Sequence, residues 1–318
     1  MKTLYIFGNG FDIAHGIKTS YSAFRAFLNK NHESFLATFE GMYSIQPLDD
    51  TEPWYTKEAQ EKWNQSVIHN LWRNFEEEIG HPDVDEMYDF AYSMVDTMPE
   101  QGIIDTMDAY WRKQYGFVDE LQKYVLEWVE TIDTSNVTCK KDCLINNDND
   151  LFMSFNYTDT LESAYGIRYV LHLHGGASSC CKIPPIMGHG NKYIIDSYRR
   201  KATEAMEEHV EWYESICNAT ANFCESLYKN TDAIISTHNA FFSALRDIDQ
   251  IVCLGLSFDD VDVPYLNKIQ TEIPPETKWM IYYHSDEDLK RLKSVFGITG
   301  ISRKFEIYFR ESNNFWDK

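Results

Sequence analysis

Leu4-Tyr5-Ile6-Phe7-Gly8-Asn9-Gly10-Phe11-Asp12-Ile13-Ala14-His15-Gly16 opens the chain with an apolar run, a glycine turn and a change of period. The first four of these residues are strand formers, and beyond Gly16 the apolar residues Phe24, Phe27 and Leu28 recur at helical spacing. Strand, glycine turn, helix is how an α/β nucleotide fold begins, with backbone N–H groups gathered at a helix N-terminus where a phosphate binds. The glycines miss the usual dinucleotide spacing: Ile13 stands where the third belongs, and Gly16 gives G-x-G-x5-G instead. No Gly-Lys-Ser/Thr follows, which excludes a Walker-type loop. Such a turn also serves simply to let a helix pack closely on a sheet. The stretch alone leaves both readings open.

Outward from it, the next region is helical. Pro47 to Pro53 reads as a loop, and from 54 to 133 the periodicity is that of helices. Trp63, Val67, Leu71 and Phe75 recur every four residues. Met87, Phe90, Ala91 and Met94 form a second face, and Ile104, Met107 and Trp111 start a third, which Phe117, Leu121, Tyr124, Val125 and Trp128 continue after Gly116. Rings at helical spacing are core before they are anything else, so this insertion reads as a structural layer, with a lid or partner surface as the alternative. A polar turn, Asn146-Asn147-Asp148-Asn149-Asp150, ends it. Strands are then expected at 151–157, 168–174, 251–254, 279–283 and 305–309, the last at an edge. A charged helix is expected at 199–229 and an amphipathic one at 286–296, capped by Gly297. The expectation is an α/β, Rossmann-like, doubly wound and mostly parallel sheet, with a core of 1–46 and 146–318 around a helical insertion at 54–133.

Composition narrows the partners. A formal net charge of −21 over 318 residues opposes binding to phosphate backbones and anionic membranes, while a local cluster of N–H groups can still hold a small nucleotide. No apolar run is long enough to span a bilayer and no secretory leader is evident, so a cytoplasmic location is expected. Seven cysteines argue against a disulfide framework. Neither Cys139-x3-Cys143 nor Cys180-Cys181 has the usual zinc spacing. Buried or free thiols are expected, and no metal.

In open α/β sheets ligands sit at the carboxyl ends of the strands, and four polar clusters fall there. They are Gly8-Asn9-Gly10, Ser154 to Asp159 with Leu161-Glu162, His172-Leu173-His174-Gly175-Gly176, and Gly255-Leu256-Ser257-Phe258 with Asp259, Asp260, Asp262, Pro264 and Tyr265. Each has a plain structural reading. Asn156 or Asp159 could cap the following helix, and one of the two histidines, placed on one face of a strand, could be a hydrogen-bonded core residue. The glycines after His174 would let a ligand approach closely. His15 and Lys18 sit near the expected phosphate or in solvent, and His189 is a loop histidine with no assigned role.

The opening stretch through Tyr21 resembles the signature of the AbiH bacteriophage abortive-infection family. Phe155-Asn156-Tyr157-Thr158 with Leu161-Glu162, His172-Leu173-His174-Gly175, and residues 255–265 are similar to its later blocks, covering residues 4 to 265. More distantly the same blocks resemble sirtuins: Gly8-Asn9-Gly10 with Gly16-Ile17, Asn156 with Asp159, His174-Gly175, and Gly255-Leu256-Ser257-Phe258. Paired C-x2-C ligands after the His-Gly are missing, and Asp12 stands where a serine belongs, which argues against deacetylation. The resemblance implies an antiphage effector with a sirtuin-like or DHS-like NAD-binding fold over one domain, and hydrolysis of NAD at its nicotinamide–ribose bond. It implies catalytic roles for Asn156, His174 and Asp159, with Asp12 as another group able to stabilise positive charge. It implies NAD-binding roles for Gly8, Asn9, Gly10, Phe11, Asp12, Gly16, Tyr21, Gly255, Ser257, Phe258 and Asp262. The expected partners are a nucleotide and a phage-derived trigger, with a homo-oligomer left open. A non-catalytic nucleotide sensor, or a toxin modifying another nucleotide, are the alternatives.

Overall fold

The computed structural model describes residues 1–52, 54–85, 88, 103–140 and 149–316. Met87, Phe90, Ala91 and Met94, Cys143, and the turn at 146–148 lie outside the described residues. The chain packs as two compact units, one formed by Met1–Ser20, Val125–Ile186 and Asn230–Lys318, the other by Tyr21–Tyr124 and Met187–Lys229.

The first unit holds a six-stranded sheet. Its strands are β1 (Thr3–Phe7), β2 (Leu151–Ser154), β3 (Val170–His172), β4 (Gln250–Leu254), β5 (Lys278–Tyr283) and β6 (Glu306–Glu311). The order is β3-β2-β1-β4-β5-β6, every neighbouring pair is parallel, and β6 is an edge. Alternate residues feed two cores, as a pleated strand requires. Leu4, Ile6, Ile251, Cys253, Trp279 and Ile281 enter one core, packed by helices Val263–Glu272 and Asp286–Ile298. Phe7, Phe152, Val252, Leu254 and Met280 enter the other, covered by Phe11, Leu161, Tyr165 and Phe315 from short helices. With both faces covered, the strands read as near-continuous apolar runs, and the α/β Rossmann-like expectation holds.

Several boundaries differ from expectation. A short helix, Asn9–Ala14, follows β1 directly, and Phe24 and Leu28 belong to a separate helix, Tyr21–Asn31, in the second unit. β2 and β3 stop earlier than the apolar runs suggested, so Asn156 and His174 lie in the turns beyond them. The single helix expected at 199–229 is two, Lys192–Glu207 and Glu211–Ser226. His209 takes a left-handed conformation (φ 59°) between them, and Val210 N–H donates to Ala205 O at 2.9 Å. Together these close the first helix as glycine usually does. Helix Asp286–Ile298 runs through Gly297, and Gly300 is the left-handed residue beyond it.

The second unit is helical among its described residues. Phe24, Phe39, Trp72 and Phe75 are buried together, with Trp72 and Phe75 stacked at 4.4 Å between ring centroids. Glu40 is buried beside them and is neutralised by Arg25 (2.6 Å) while Trp72 Nε1–H donates to it (2.7 Å). Lys229, fully buried, pairs with Glu76. Both are cases of a buried charge tolerated because it is partnered. A cleft of about 390 Å³ is lined by Trp111, Arg112, Asn218, Asn222 and Phe223. Among the described residues no helix is long and apolar enough to cross a membrane.

Candidate functional site

The order β3-β2-β1-β4-β5-β6 reverses direction between β1 and β4, and a crevice at that switch point is where open parallel sheets receive ligands. Here the two loops touch. Gly8 N–H donates to Leu254 O and Gly10 N–H to Gly255 O, each at 3.0 Å, while Phe11 N–H donates to Gly8 O at 2.8 Å. These three amides are engaged by the chain itself, so they do not form the open N–H cradle expected of the turn. A Cβ on Gly8 would stand 2.5 Å from Gly255 O, and one on Gly10 2.6 Å from Gly255 Cα. Gly255 itself has a φ of 74°, which favours glycine. The glycines thus serve close packing of loop on loop.

Beneath this contact lies Asp12, with no solvent exposure. Thr158 Oγ1–H donates to its Oδ2 (2.7 Å) and Thr160 Oγ1–H to its Oδ1 (2.8 Å), and Asn156 is a further hydrogen-bonding neighbour. Burial raises its carboxyl to about 6, against the downward pull of the two threonines, Asn156 and the nearby His172. Asn156, itself buried, donates its Nδ2–H to Gly8 O at 3.0 Å and so ties the end of β2 to the glycine turn.

The two histidines diverge because β3 ends between them. His172 lies with Nδ1 3.1 Å from Asn156 O and Nε2 2.8 Å from Glu162 Oε1. Burial works to lower its basicity, but hydrogen bonds to Cys180 and Glu162 and their charges raise it to about 10. His174, 3% exposed, turns the other way, with Nε2 3.1 Å from the Tyr265 hydroxyl and its ring edge-on to Phe155. The glycines that follow make room for protein: a Cβ on Gly175 would meet Pro184 O at 2.2 Å, and one on Gly176 would meet Tyr157 O at 2.9 Å. The close approach expected there is made by the chain's own 183–184 segment.

The remaining candidates fall into two groups. Phe11 and Phe258 are core residues, and Phe258 holds a left-handed backbone (φ 51°), costly for a bulky residue and fixed here by packing near Phe155 and Phe296. Asp262 is buried at the start of helix Val263–Glu272. Asn9 and Asp159 are half-buried and accept hydrogen bonds from Thr19 and Thr134, while Ser257 and Gly16 are exposed. Neither Asn156 nor Asp159 caps helix Thr160–Tyr165 through its side chain. His15 stands between Phe11 O and the Tyr165 hydroxyl, each at 2.8 Å, and Lys18 is exposed. Tyr21 belongs to the second unit, where its ring lies 5.3 Å from that of Phe75. His189 is also there, with Nε2–H donating to Cys224 O (2.8 Å) and Nδ1 accepting from Asn191 N–H (3.1 Å). Of the two partners of Asp12, Thr158 lay within a quoted block but was given no role, and Thr160 had no motif to mark it; the signal that could have found them is two hydroxyls two residues apart after a strand.

No curated protein and no solved structure matches the chain. The glycine turn, Asn156, both histidines and the 255–265 loop all fall within residues 4–283, the span matched by the family described as "Bacteriophage abortive infection AbiH". The chain therefore belongs to the AbiH family, and membership implies abortive-infection defence against bacteriophage.

Proposed function

We propose that the carboxyl edge of the sheet binds NAD and that the chain hydrolyses its nicotinamide–ribose bond as the toxic step of phage defence. The observation that carries this reading is Asp12. It is a buried carboxyl raised to about 6, at the switch point, in a network that includes Asn156. Perturbed groups of this kind collect at functional sites, and here Asp12 acts as a positioning residue for Asn156, Thr158 and Thr160. Asn156 orients the nicotinamide ribose and a water. The water oxygen bonds to the anomeric carbon as the bond to nicotinamide breaks, and its proton passes to His174. The half-buried Asp159 carboxylate offsets charge on the oxocarbenium-like transition state. Asn9, Gly16 and Ser257 form the accessible rim, with Asp262 placed for the adenosine-side ribose.

The burial of His174 against Phe155 and Tyr265 favours a second reading, a sensor that binds the nucleotide without cleaving it. Incubation of the purified chain with NAD, followed by chromatography for nicotinamide and ADP-ribose, separates the two. Hydrolysis predicts both products and a loss of about a hundredfold or more in Asn156→Ala. Thermal stabilisation by NAD with no product selects the sensor, and neither effect overturns both.

A further inference from the structure

Three donors from separate segments meet beside the turn that holds Asn156. Glu162 comes from helix Thr160–Tyr165, His172 from the last position of β3, and Cys180 from the loop after it. One ligand atom from each lies within 4.8 Å of the other two. Imidazole, thiolate and carboxylate in one cluster are a donor set that suits zinc and its first-row neighbours.

The arrangement around the donors is what such a site needs. His172 Nδ1 faces the Asn156 carbonyl at 3.1 Å, and a bond from Nδ1–H to that oxygen turns Nε2 toward Glu162 and fixes it as the ligand atom. Glu162 Oε2 is buried and has no hydrogen-bond partner among the described residues. A carboxylate oxygen in that position is costly unless a cation or donor meets it. Cys180 is held before any ion arrives. Its N–H donates to Ala177 O (3.1 Å), Ala177 N–H to Tyr157 O (2.7 Å), and Gly176 N–H to Ile183 O (3.0 Å). Ser178 adds two hydrogen bonds to Glu130 at 2.8 and 2.6 Å.

We propose that Glu162, His172 and Cys180 bind a divalent transition-metal ion of the zinc class, through a Glu162 carboxylate oxygen, His172 Nε2 and Cys180 Sγ, with a fourth position open to water. On binding, the Cys180 thiol and the His172 Nε2–H each give a proton to solvent, and His172 coordinates as the neutral imidazole with Nδ1–H kept on the Asn156 carbonyl. The ion ties three segments to the turn that positions Asn156. Sequence spacing hides the site because each donor comes from a different element, whereas a search for zinc looks for paired cysteines. The site does not depend on the NAD reading, and either can fail alone.

The test uses the full chain, stripped with a chelator that is then removed, and titrated with Co2+ alone. One ion per chain should bind with a thiolate-to-cobalt charge-transfer band and visible bands of tetrahedral intensity, displaced by Zn2+. Cys180→Ser should lose the charge-transfer band, and Glu162→Gln should weaken Zn2+ binding by at least about tenfold, both with unchanged far-ultraviolet dichroism. Should either variant misfold, wild-type protein answers: Zn2+ should protect Cys180 from alkylation, read by mass spectrometry of its peptide. No thiolate band in the wild type, a full-strength band in Cys180→Ser, unchanged Zn2+ affinity in a folded Glu162→Gln, or Cys180 alkylated equally with and without Zn2+ overturns the proposal.

Discussion

Asp12 is a carboxyl whose ionisation the fold resists. In the unfolded chain its carboxyl ionises near its ordinary value of 3.8, in the folded chain near 6, so the native state holds the proton longer. The contribution is fully present below the lower value and is lost as pH rises through the upper one, an effect of about 3 kcal/mol. Asp12→Asn should flatten that limb of a urea-midpoint profile taken from about pH 3 to about pH 7. His189 works with the opposite sign. Burial lowers its imidazole from 6.5 to about 4, against the pull of its bond to Cys224 O, so its stabilisation is present above the unfolded value and lost as pH falls through the folded one. His189→Asn should be less stable at neutral pH and lose that acid limb, measured by the same urea profile. The role of His189 was not legible in the sequence, because its partners are a backbone carbonyl from a helix and an amide two residues on.

Elements were legible where one local signal decided them. Four-residue apolar runs placed β1 and β4 and amphipathic spacing placed helix Asp286–Ile298, at whose start the structure adds a capping box of Ser285 and Asp288, with Ser285 Oγ accepting from Asp288 N–H at 3.2 Å. Ser285→Ala should cost about 1 kcal/mol, read as a lower urea midpoint with an unchanged slope. What stayed hidden depended on partners far along the chain. The break at His209 carries no glycine to announce it. The divergence of His172 and His174 follows from β3 ending at His172, which alternation in Tyr169-Val170-Leu171-His172-Leu173 could not reveal. The candidate site was legible as a set of strand ends, since Asn156 and Asp12 are brought together there. Which loop amides were free was not, because Gly8 and Gly10 are satisfied by residues nearly 250 positions later.

At the scale of the whole molecule, a net charge of −21 makes self-repulsion a standing cost of the folded state. Raising sodium chloride from about 0.01 to about 0.15 M, which shortens the screening length to about 8 Å, should raise the thermal midpoint. The same charge predicts no retention on immobilised duplex DNA at the higher salt, checked by elution volume. Within the first unit, the meeting of the two loops at the sheet's switch point limits how this sequence could drift. A side chain at 8 or 10 would meet the backbone of Gly255, and one at 255 the backbone of Gly10 and Phe11, so each clash is with main chain and a substitution at one glycine gains no relief from a substitution at another. Compensation by pairs is closed to these three positions, whereas Asn9 and Ser257, on the rim of the same two loops, are under no such steric veto. Relatives that differ in ligand preference would then be expected to vary at the rim and to keep the glycines beneath it.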